Sequence, residues 1–282
     1  MTRHRSRSLL ALVLVSLSSA CSNPPTSTPQ APAVLSRANL AEIVASPDRS
    51  DADRRNDLRR RPVEMLAFIG IRPGAVALDL SAGGGYTTEL IARAVGPSGR
   101  VYGQSRPPTV RLGPAQAETG AAAAPPASVP VSAPRISAMA LAARARNLPA
   151  ANIVPVVQPF ESPVPAEVAS SGLDLVTIMF DYHDLGPMGV DRQRMNRAVF
   201  AALKPGGEYV VADHSGRPGT GITEAATLHR VEEGFVRSEI EAAGFRLVAA
   251  GEFLRNPADP RDREEPEPPM PKDEFVLKFV KP

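Results

Sequence analysis

Cysteine is nearly absent from this sequence: 282 residues contain only Cys21. The rest of the chain has no thiol, which suits an oxidising compartment. Long basic runs are also missing, and 32 lysines and arginines nearly balance 30 aspartates and glutamates. Because proteins that bind nucleic acid usually carry a basic patch, the sequence argues against a nucleic-acid partner.

Two common nucleotide-binding motifs are missing from the glycine-rich stretch Val76–Leu90. A P-loop would end in Gly-Lys-Ser/Thr, and this stretch does not. A dinucleotide-binding loop would have a small residue three places after Gly85, where Thr88 stands. The stretch instead has an apolar run with Asp79 near its end, a glycine turn and an amphipathic run. This pattern predicts a strand, a tight turn and a helix whose first amides can bind a ligand.

Residues 1–20 have the three parts of an export signal. A basic region comes first, Leu9–Leu17 is an apolar core too short to span a bilayer stably, and Ser18–Ala20 is a small-residue cleavage region. With Cys21 directly after it, the leader resembles the lipobox of bacterial lipoproteins, although Ser18 stands where leucine is usual. The resemblance implies lipidation of Cys21 and export to the periplasm or a membrane anchor. Plain secretion after cleavage at Ala20 is the alternative.

The rest of the chain divides into a tether and a domain. Residues 21–47 are predicted to be a Pro-, Ser- and Thr-rich tether followed by a short helix over Leu35–Ala45. Residues 48–282 form the predicted domain, which a Pro- and Ala-rich insertion interrupts at about 106–134. This insertion is either a mobile surface segment over the ligand edge or a tolerated low-complexity expansion.

Within the domain, strands alternate with helices. The predicted strands begin at Val76 and then cover Val101–Gly103, Ile153–Val157, Leu173–Phe180, Tyr209–Ala212, Phe245–Leu254 and Glu274–Val280. The predicted later helices cover Ile136–Asn147, Asp191–Leu203 and Val231–Ala243. This order predicts a doubly wound α/β fold: a mostly parallel seven-stranded sheet with an antiparallel final strand. The charged stretch Asp51–Arg61 is expected to be a solvated helix with internal salt bridges.

Several motifs, in order along the chain, resemble the class I S-adenosylmethionine-dependent methyltransferases, and in particular a group of predicted bacterial members. Asp79, Gly83 and Gly85 match the D-x-G-x-G-x-G motif of that family, with Ser81 in place of its first glycine. Further matches are Leu203–Gly207 with the "LKPGG" segment, Asp181–Asp184 with the motif after strand 4, and Glu241–Phe245 with "EAGF". The resemblance covers Asp48 to Pro282. It implies a Rossmann-like methyltransferase fold, S-adenosylmethionine as cofactor and methyl transfer to a small-molecule acceptor.

The resemblance also implies cofactor-binding residues by position. They are Asp79, Ser81, Gly83, Gly84, Gly85, Tyr86 and Asp181, together with Gln104. Gln104 stands where the family usually has an acid for the ribose hydroxyls, and it can form hydrogen bonds there only without charge. Glu161 is the nearest candidate for a contact with adenine.

Polar residues follow the fourth and fifth predicted strands. Because these strands are neighbours in the predicted sheet, His183 and His214 should project into one cleft. A histidine beside a carboxylate could act as a base near neutral pH. The predicted catalytic set is Tyr182, His183, Asp184, Asp213 and His214.

Other readings of these residues stay open. The same side chains could instead cap strand ends, and His229 either borders the site or lies on the surface. No metal is predicted, although His183 and His214 could bind zinc or iron in a metal-dependent enzyme. A non-catalytic binding lipoprotein that uses the same cleft is the other alternative, because the expected cofactor is made in the cytoplasm. The sequence gives no prediction for the oligomeric state.

Overall fold

A computed structural model describes residues 33–108, 133–148, 151–170 and 172–282. The predicted export signal, Cys21 and residues 109–132 of the Pro- and Ala-rich insertion lie outside the described residues. None of the helices in this described part has the length and the hydropathy of a membrane-spanning segment.

One sheet organises the described residues. Its strands are β1 (Val76–Leu80), β2 (Arg100–Ser105), β3 (Ile153–Val157), β4 (Leu173–Met179), β5 (Leu203–His214), β6 (Arg246–Gly251) and β7 (Glu274–Val280). Their order is β3-β2-β1-β4-β5-β7-β6. Strand β7 runs antiparallel to β5 and β6, and the other strands share one direction. The predicted doubly wound fold with an antiparallel final strand is confirmed.

Helices cover both faces of this sheet. They are α1 (Arg37–Val44), α2 (Asp51–Arg60), α3 (Pro62–Ile69), α4 (Tyr86–Val95), α5 (Ala133–Asn147), α6 (Arg192–Ala202), α7 (Ala225–Leu228) and α8 (Glu233–Ala242). Local sequence signals determine where several of these helices begin. Ser50 and Asp191 cap α2 and α6, each accepting a hydrogen bond from a backbone N–H three residues later. Pro62 occupies the first position of α3, where its missing N–H costs nothing.

The core lies on both sides of the central strands. Leu40 of α1, Leu66 of α3 and Ile91 of α4 belong to the cluster on one face. Val199 of α6 and Ile240 of α8 belong to the cluster on the other face. Because β4 is covered on both faces, its sequence is nearly all apolar.

Several elements begin at different places than the sequence predicts, among them β5 and α8. Strand β5 begins at Leu203, six residues before the predicted Tyr209, because the Lys204–Gly207 segment also pairs in the sheet. Gly206 N–H donates to the Lys281 carbonyl at 2.8 Å, and Lys281 N–H donates to the Gly207 carbonyl at 2.9 Å. Helix α8 begins at Glu233, because Val231 N–H donates to the His214 carbonyl and so extends the edge of β5.

Candidate functional site

The glycine loop joins β1 to α4 at the carboxyl edge of the sheet. Ser81, Gly83 and Gly85 have left-handed backbones, with φ values of 53°, 54° and 85°. A Cβ on Gly85 would also lie 2.8 Å from Leu141 Cδ1 of α5, so packing and backbone both require glycine there. No atom of the described residues lies within 4 Å of the place that a Cβ on Gly84 would take. Ser81, Gly83 and Gly84 therefore leave an open wall on a cleft of ≈ 270 Å³.

Asp79 lines this cleft from the end of β1, and it is 2% exposed. Its two carboxyl oxygens accept hydrogen bonds from the Thr88 and Thr177 hydroxyls, both at 2.7 Å. Burial raises the pKa of Asp79 to about 6, because it outweighs the two hydrogen bonds. The carboxyl group is thus held in one orientation, and it takes up a proton at a higher pH than an exposed aspartate does.

Gln104 supports the glycine loop and does not enter the cleft. Its side-chain oxygen accepts a hydrogen bond from Ser81 N–H at 2.9 Å, and its amide donates to the Gln158 carbonyl at 2.6 Å. The residue is fully buried. Each end of the side chain thus has one partner inside the protein, and the predicted contact with the cofactor ribose stays a prediction.

Helices α2 and α5 form a roof over the same cleft. The roof residues that line it are Asp53, Asn56, Arg60 and Arg144. Arg144 binds Asp53 through hydrogen bonds of 2.7 and 3.1 Å, and it donates to the Gly84 carbonyl at 2.7 Å. Arg144 also pairs with the buried Glu89 of α4. The roof is thus tied to the loop and to the helix that follows it.

The expectation that α2 is a solvated helix with internal salt bridges is wrong. Its charges pair with other elements: Asp57 with Arg49, and Arg59 with Glu274 of β7. Asp57 also accepts a hydrogen bond from the Tyr86 hydroxyl at 2.7 Å. A signal for this was present in the sequence, because α2 has no apolar stripe. In the structure its leucine, Leu58, is 86% exposed. A helix without apolar burial has to be held by polar contacts.

Arg60 lies over two aromatic rings at the cleft. Its guanidinium carbon is 4.5 Å from the Phe180 ring centre and 5.3 Å from that of Tyr86. Burial and the neighbouring Arg59 lower the pKa of Arg60. Asp181 lines the same cleft, and burial together with the charges of Asp213 and Asp184 raises the pKa of Asp181 to about 7. Phe180, directly before Asp181 in the chain, has a strained φ of 67°.

Three histidines, His183, His214 and His229, form a cluster next to this cleft, and Asp213 positions the first two. Asp213 is fully buried, and it accepts hydrogen bonds from the backbone N–H groups of His183 and His214 at 2.8 and 2.7 Å. Its Oδ1 also lies 2.7 Å from His183 Nδ1. Burial lowers the pKa of His183, but the hydrogen bond that its ring donates to Asp213 and the nearby carboxylates outweigh burial and raise it overall.

The other two histidines lie against the ring of His183, at centroid distances of 5.7 Å for His214 and 5.5 Å for His229. His214 Nδ1 is 3.0 Å from Glu274 Oε1, which also pairs with Arg59. His229 Nδ1 is 3.5 Å from Asp184 Oδ1. His229, which the sequence left undecided, thus borders the site.

Two sequence candidates lie outside the cluster. Tyr182 is fully buried between the sheet and α6, where its hydroxyl donates to Glu239 at 2.8 Å and accepts from Asn196 at 3.0 Å. The predicted catalytic role of Tyr182 is therefore corrected: its side chain belongs to the core. Glu161 accepts a hydrogen bond from Asp191 N–H, at the start of α6.

The sequence matches no protein-family model, and no curated protein matches it significantly. The structure is similar to a solved "SAM dependent methyltransferase from Aquifex aeolicus", with a TM-score of 0.54 and 16% identity over 88% of this chain and 100% of that chain. It is also similar to a chain of the complex between the Haloferax volcanii Trm112 methyltransferase activator and a putative methyltransferase, with a TM-score of 0.51 and 15% identity over 86% of this chain and 97% of that chain. At these identities the likeness concerns architecture, and the described part of this chain has the Rossmann-like fold of the S-adenosylmethionine-dependent methyltransferases.

Proposed function

We propose that this protein transfers a methyl group from S-adenosylmethionine to a small-molecule acceptor. The observation that carries the proposal is one cleft at the carboxyl edge of β1 and β4, lined by the glycine loop at one side and by Asp181 at the other. In doubly wound sheets, ligands bind at this edge. Asp181 lies two residues before His183 in the chain, and the charges of Asp213 and Asp184 act on its carboxyl group. The cleft therefore leads from the loop toward candidate catalytic groups.

The residues of the cleft fit the chemical groups of the proposed cofactor. S-adenosylmethionine carries a sulfonium and an ammonium group, and the Asp79 and Asp181 carboxyls lie on the cleft wall. It also carries a carboxylate, and Arg60 lies on the same wall without an ion pair to any described residue. Ser81, Gly83 and Gly84 leave room for close approach to the backbone. When bound, the cofactor supplies an activated methyl group.

The residues at the other end would act on the acceptor. Asp213 holds the His183 imidazole in a fixed orientation, and Asp181 faces the cleft between that imidazole and the loop. His214 is held by Asp213 through its backbone, and its ring nitrogen Nδ1 lies 3.0 Å from Glu274. These groups would orient the acceptor and accept its proton, whereas α2 and Arg144 would shield the reacting groups from water.

We also propose that the protein is exported and lipidated at Cys21. The ordered basic, apolar and small-residue regions of residues 1–20 support export, and the position of Cys21 supports lipidation. Lipidation would hold the domain at a membrane by an acyl anchor.

Calorimetric titration of the purified full-length protein with S-adenosylmethionine and with its demethylated product tests the function. We expect micromolar binding of both, weakened at least tenfold by Asp181→Asn and by Arg60→Gln, because each substitution removes one charge from the cleft wall. Glu241→Gln, on the far helix α8, should bind as the wild type does. If folded protein binds neither compound, the methyl-transfer proposal is wrong, and a non-catalytic binding protein becomes the better account.

A further inference from the structure

Three potential metal ligands meet beside the cofactor cleft. Ligand atoms of His183, Asp184 and His229 all lie within 4.8 Å of one another. His183 Nε2 is 3.4 Å from Asp184 Oδ1, and His229 Nδ1 is 3.5 Å from the same oxygen. Donor atoms that share one tetrahedral ion at a bond length of about 2.1 Å are about 3.4 Å apart. The two distances to Asp184 already have this value, and His229, whose side chain is 44% exposed, has room to adjust.

Asp213 prepares His183 for this role. Metal-binding histidines nearly always donate their second ring N–H to a carboxylate or a carbonyl. The Asp213 Oδ1 atom lies 2.7 Å from His183 Nδ1, and Asp213 is fully buried. When Nδ1 donates its proton to Asp213, Nε2 carries the lone pair that can bind a metal ion, and Nε2 is the ring nitrogen 3.4 Å from Asp184 Oδ1.

The backbone next to His229 is fixed independently of any ligand. Arg230 is fully buried; it donates to the Ser215 and Arg263 carbonyls at 3.1 Å and pairs with Asp259 at 2.9 Å. Val231 pairs with the end of β5 through its N–H. His229 itself has a left-handed φ of 50°, which is uncommon for a residue other than glycine. A strained residue held by such neighbours is typical of a functional position.

The local charge also favours a cation. Within the described residues, Asp184 makes ion pairs with His183 and His229 alone, and no lysine or arginine approaches it within 4.0 Å. Asp181 and Asp213 add two further carboxyl groups nearby. A divalent ion would balance this excess of acidic groups.

We propose that His183, Asp184 and His229 bind one divalent transition-metal ion, with Asp213 as the residue that orients His183. Two imidazoles and one carboxylate suit Zn²⁺, Fe²⁺ or Co²⁺ better than Mg²⁺ or Ca²⁺. His214, the other histidine that the sequence suggested for a metal, is directed to Glu274 instead. Three protein ligands leave at least one coordination position for water or an acceptor.

The ion would define the class of acceptor. A hydroxyl or thiol that binds a divalent ion ionises at a lower pH, and with His183 bound to the ion its proton would go to water instead of to that imidazole. The acceptor would therefore be a small molecule with an oxygen or sulfur nucleophile that can bind the metal. This role rests on the proposed function, whereas the metal site itself does not.

Titration of the full-length protein with Co²⁺, after treatment with a chelator, tests the site. Co²⁺ bound by imidazole and carboxylate groups gives visible absorption bands, and Zn²⁺ should displace it. We expect one Co²⁺ per chain. His229→Ala and Asp184→Asn should weaken binding by more than about 100-fold, because the loss of outer-shell groups alone costs about 10–100-fold. Glu265→Gln serves as the matched control, because Glu265 is 80% exposed and pairs with Lys272 instead of a metal ligand, so this variant should retain wild-type affinity.

Thermal unfolding of the metal-free proteins shows whether the variants fold. His229 and Asp184 are partly exposed, so both variants should keep the metal-free Tm within a few degrees and lose the increase that Zn²⁺ gives the wild type. Wild-type protein that binds no Co²⁺, or variants that bind it unchanged, would overturn the metal site. Calorimetry with S-adenosylmethionine on the chelated protein separates this result from a failure of the proposed function.

Discussion

The side-chain oxygen of Gln104 accepts a hydrogen bond from the backbone N–H of Ser81 at 2.9 Å. Ser81 is the first loop residue after β1, and its φ of 53° turns the chain toward the glycines. Gln104 lies near the end of the parallel neighbour strand β2 and donates in turn to the Gln158 carbonyl. The shape of the loop thus depends on a residue of the adjacent strand, across the sheet edge.

Gln104→Leu tests this support. The substitution leaves the Ser81 N–H and the Gln158 carbonyl without partners, which should lower the free energy of unfolding by about 2–6 kcal/mol, at about 1–3 kcal/mol for each unpaired buried group. Affinity for S-adenosylmethionine should also fall, because the loop loses its fixed shape. Urea unfolding and calorimetry measure the two effects. Gln158→Ala is the control, because the carbonyl that Gln104 uses belongs to the backbone; an equal loss there would argue against the hydrogen bond.

Gly84 and Gly85 form a matched pair in the loop. Gly85→Ala places a Cβ 2.8 Å from Leu141 and 2.9 Å from Arg144 at a φ of 85°. We therefore expect the free energy of unfolding to fall by at least about 1–3 kcal/mol. Gly84→Ala meets no atom of the described residues within 4 Å, so stability should change by less than about 0.5 kcal/mol. Because Gly84 lines the cleft, its added methyl group should nonetheless weaken cofactor binding. The Tm measures the stability of both variants, and calorimetry measures their affinity for the cofactor. Full affinity in Gly84→Ala would show that the ligand binds elsewhere.

Asp79 should make stability depend on pH. Burial raises its pKa from 3.8 to about 6 in the folded protein, so the folded state binds this proton more tightly than the unfolded state does. The wild type should therefore lose stability as the pH rises from about 4 to about 6, and the loss should persist above that. The pKa difference corresponds to roughly 3 kcal/mol for a fully buried group.

Asp79→Asn removes this titration. The free energy of unfolding of the variant, relative to the wild type, should rise by up to about 3 kcal/mol between pH 4 and pH 7, measured by urea unfolding at each pH. Asp262→Asn, at a side chain that is 43% exposed, controls for the loss of one negative charge. A variant whose relative stability is the same at both pH values would contradict the assigned titration.

Cys21→Ser should release the protein from membranes. Serine cannot form the thioether by which the lipid would be attached, and the described residues contain no membrane-spanning helix. Fractionation of cells that express either form, with and without carbonate washing, measures the effect. If the variant remains in the membrane fraction to the same extent, lipidation at Cys21 does not hold the protein there.

Much of the sheet was predictable because its strands follow simple patterns. The bounds of β3 and β7 agree with the prediction, and β4 ends one residue early, at Met179. Apolar composition and turn residues specify such buried strands locally. The start of β5 was missed, because the Lys204–Gly207 segment looks like a turn in sequence but pairs with Lys281, which is distant in the chain.

The site was predictable only where position in the fold decides it. Asp79 lies near the end of β1, Asp181 and His183 follow β4, and strand order alone brings them to one edge. The support that Gln104 gives the glycine loop was missed, because the sequence shows that Gln104 lies near the end of β2 but not where its side chain hydrogen-bonds. The roof was missed for a related reason: Asp53 and Arg144 are far apart in sequence, and charged residues carry no periodic signal for their partners.

The place of β7 in the sheet also has a consequence for how the chain matures. It lies between β5 and β6, and its Glu274 contacts both Arg59 of the roof and His214. A nascent chain therefore cannot complete the sheet, or form the contacts of Glu274, until residues 274–280 have emerged from the ribosome. The chain stays incompletely folded until this inner strand inserts, and such a delay would be compatible with the export proposed above.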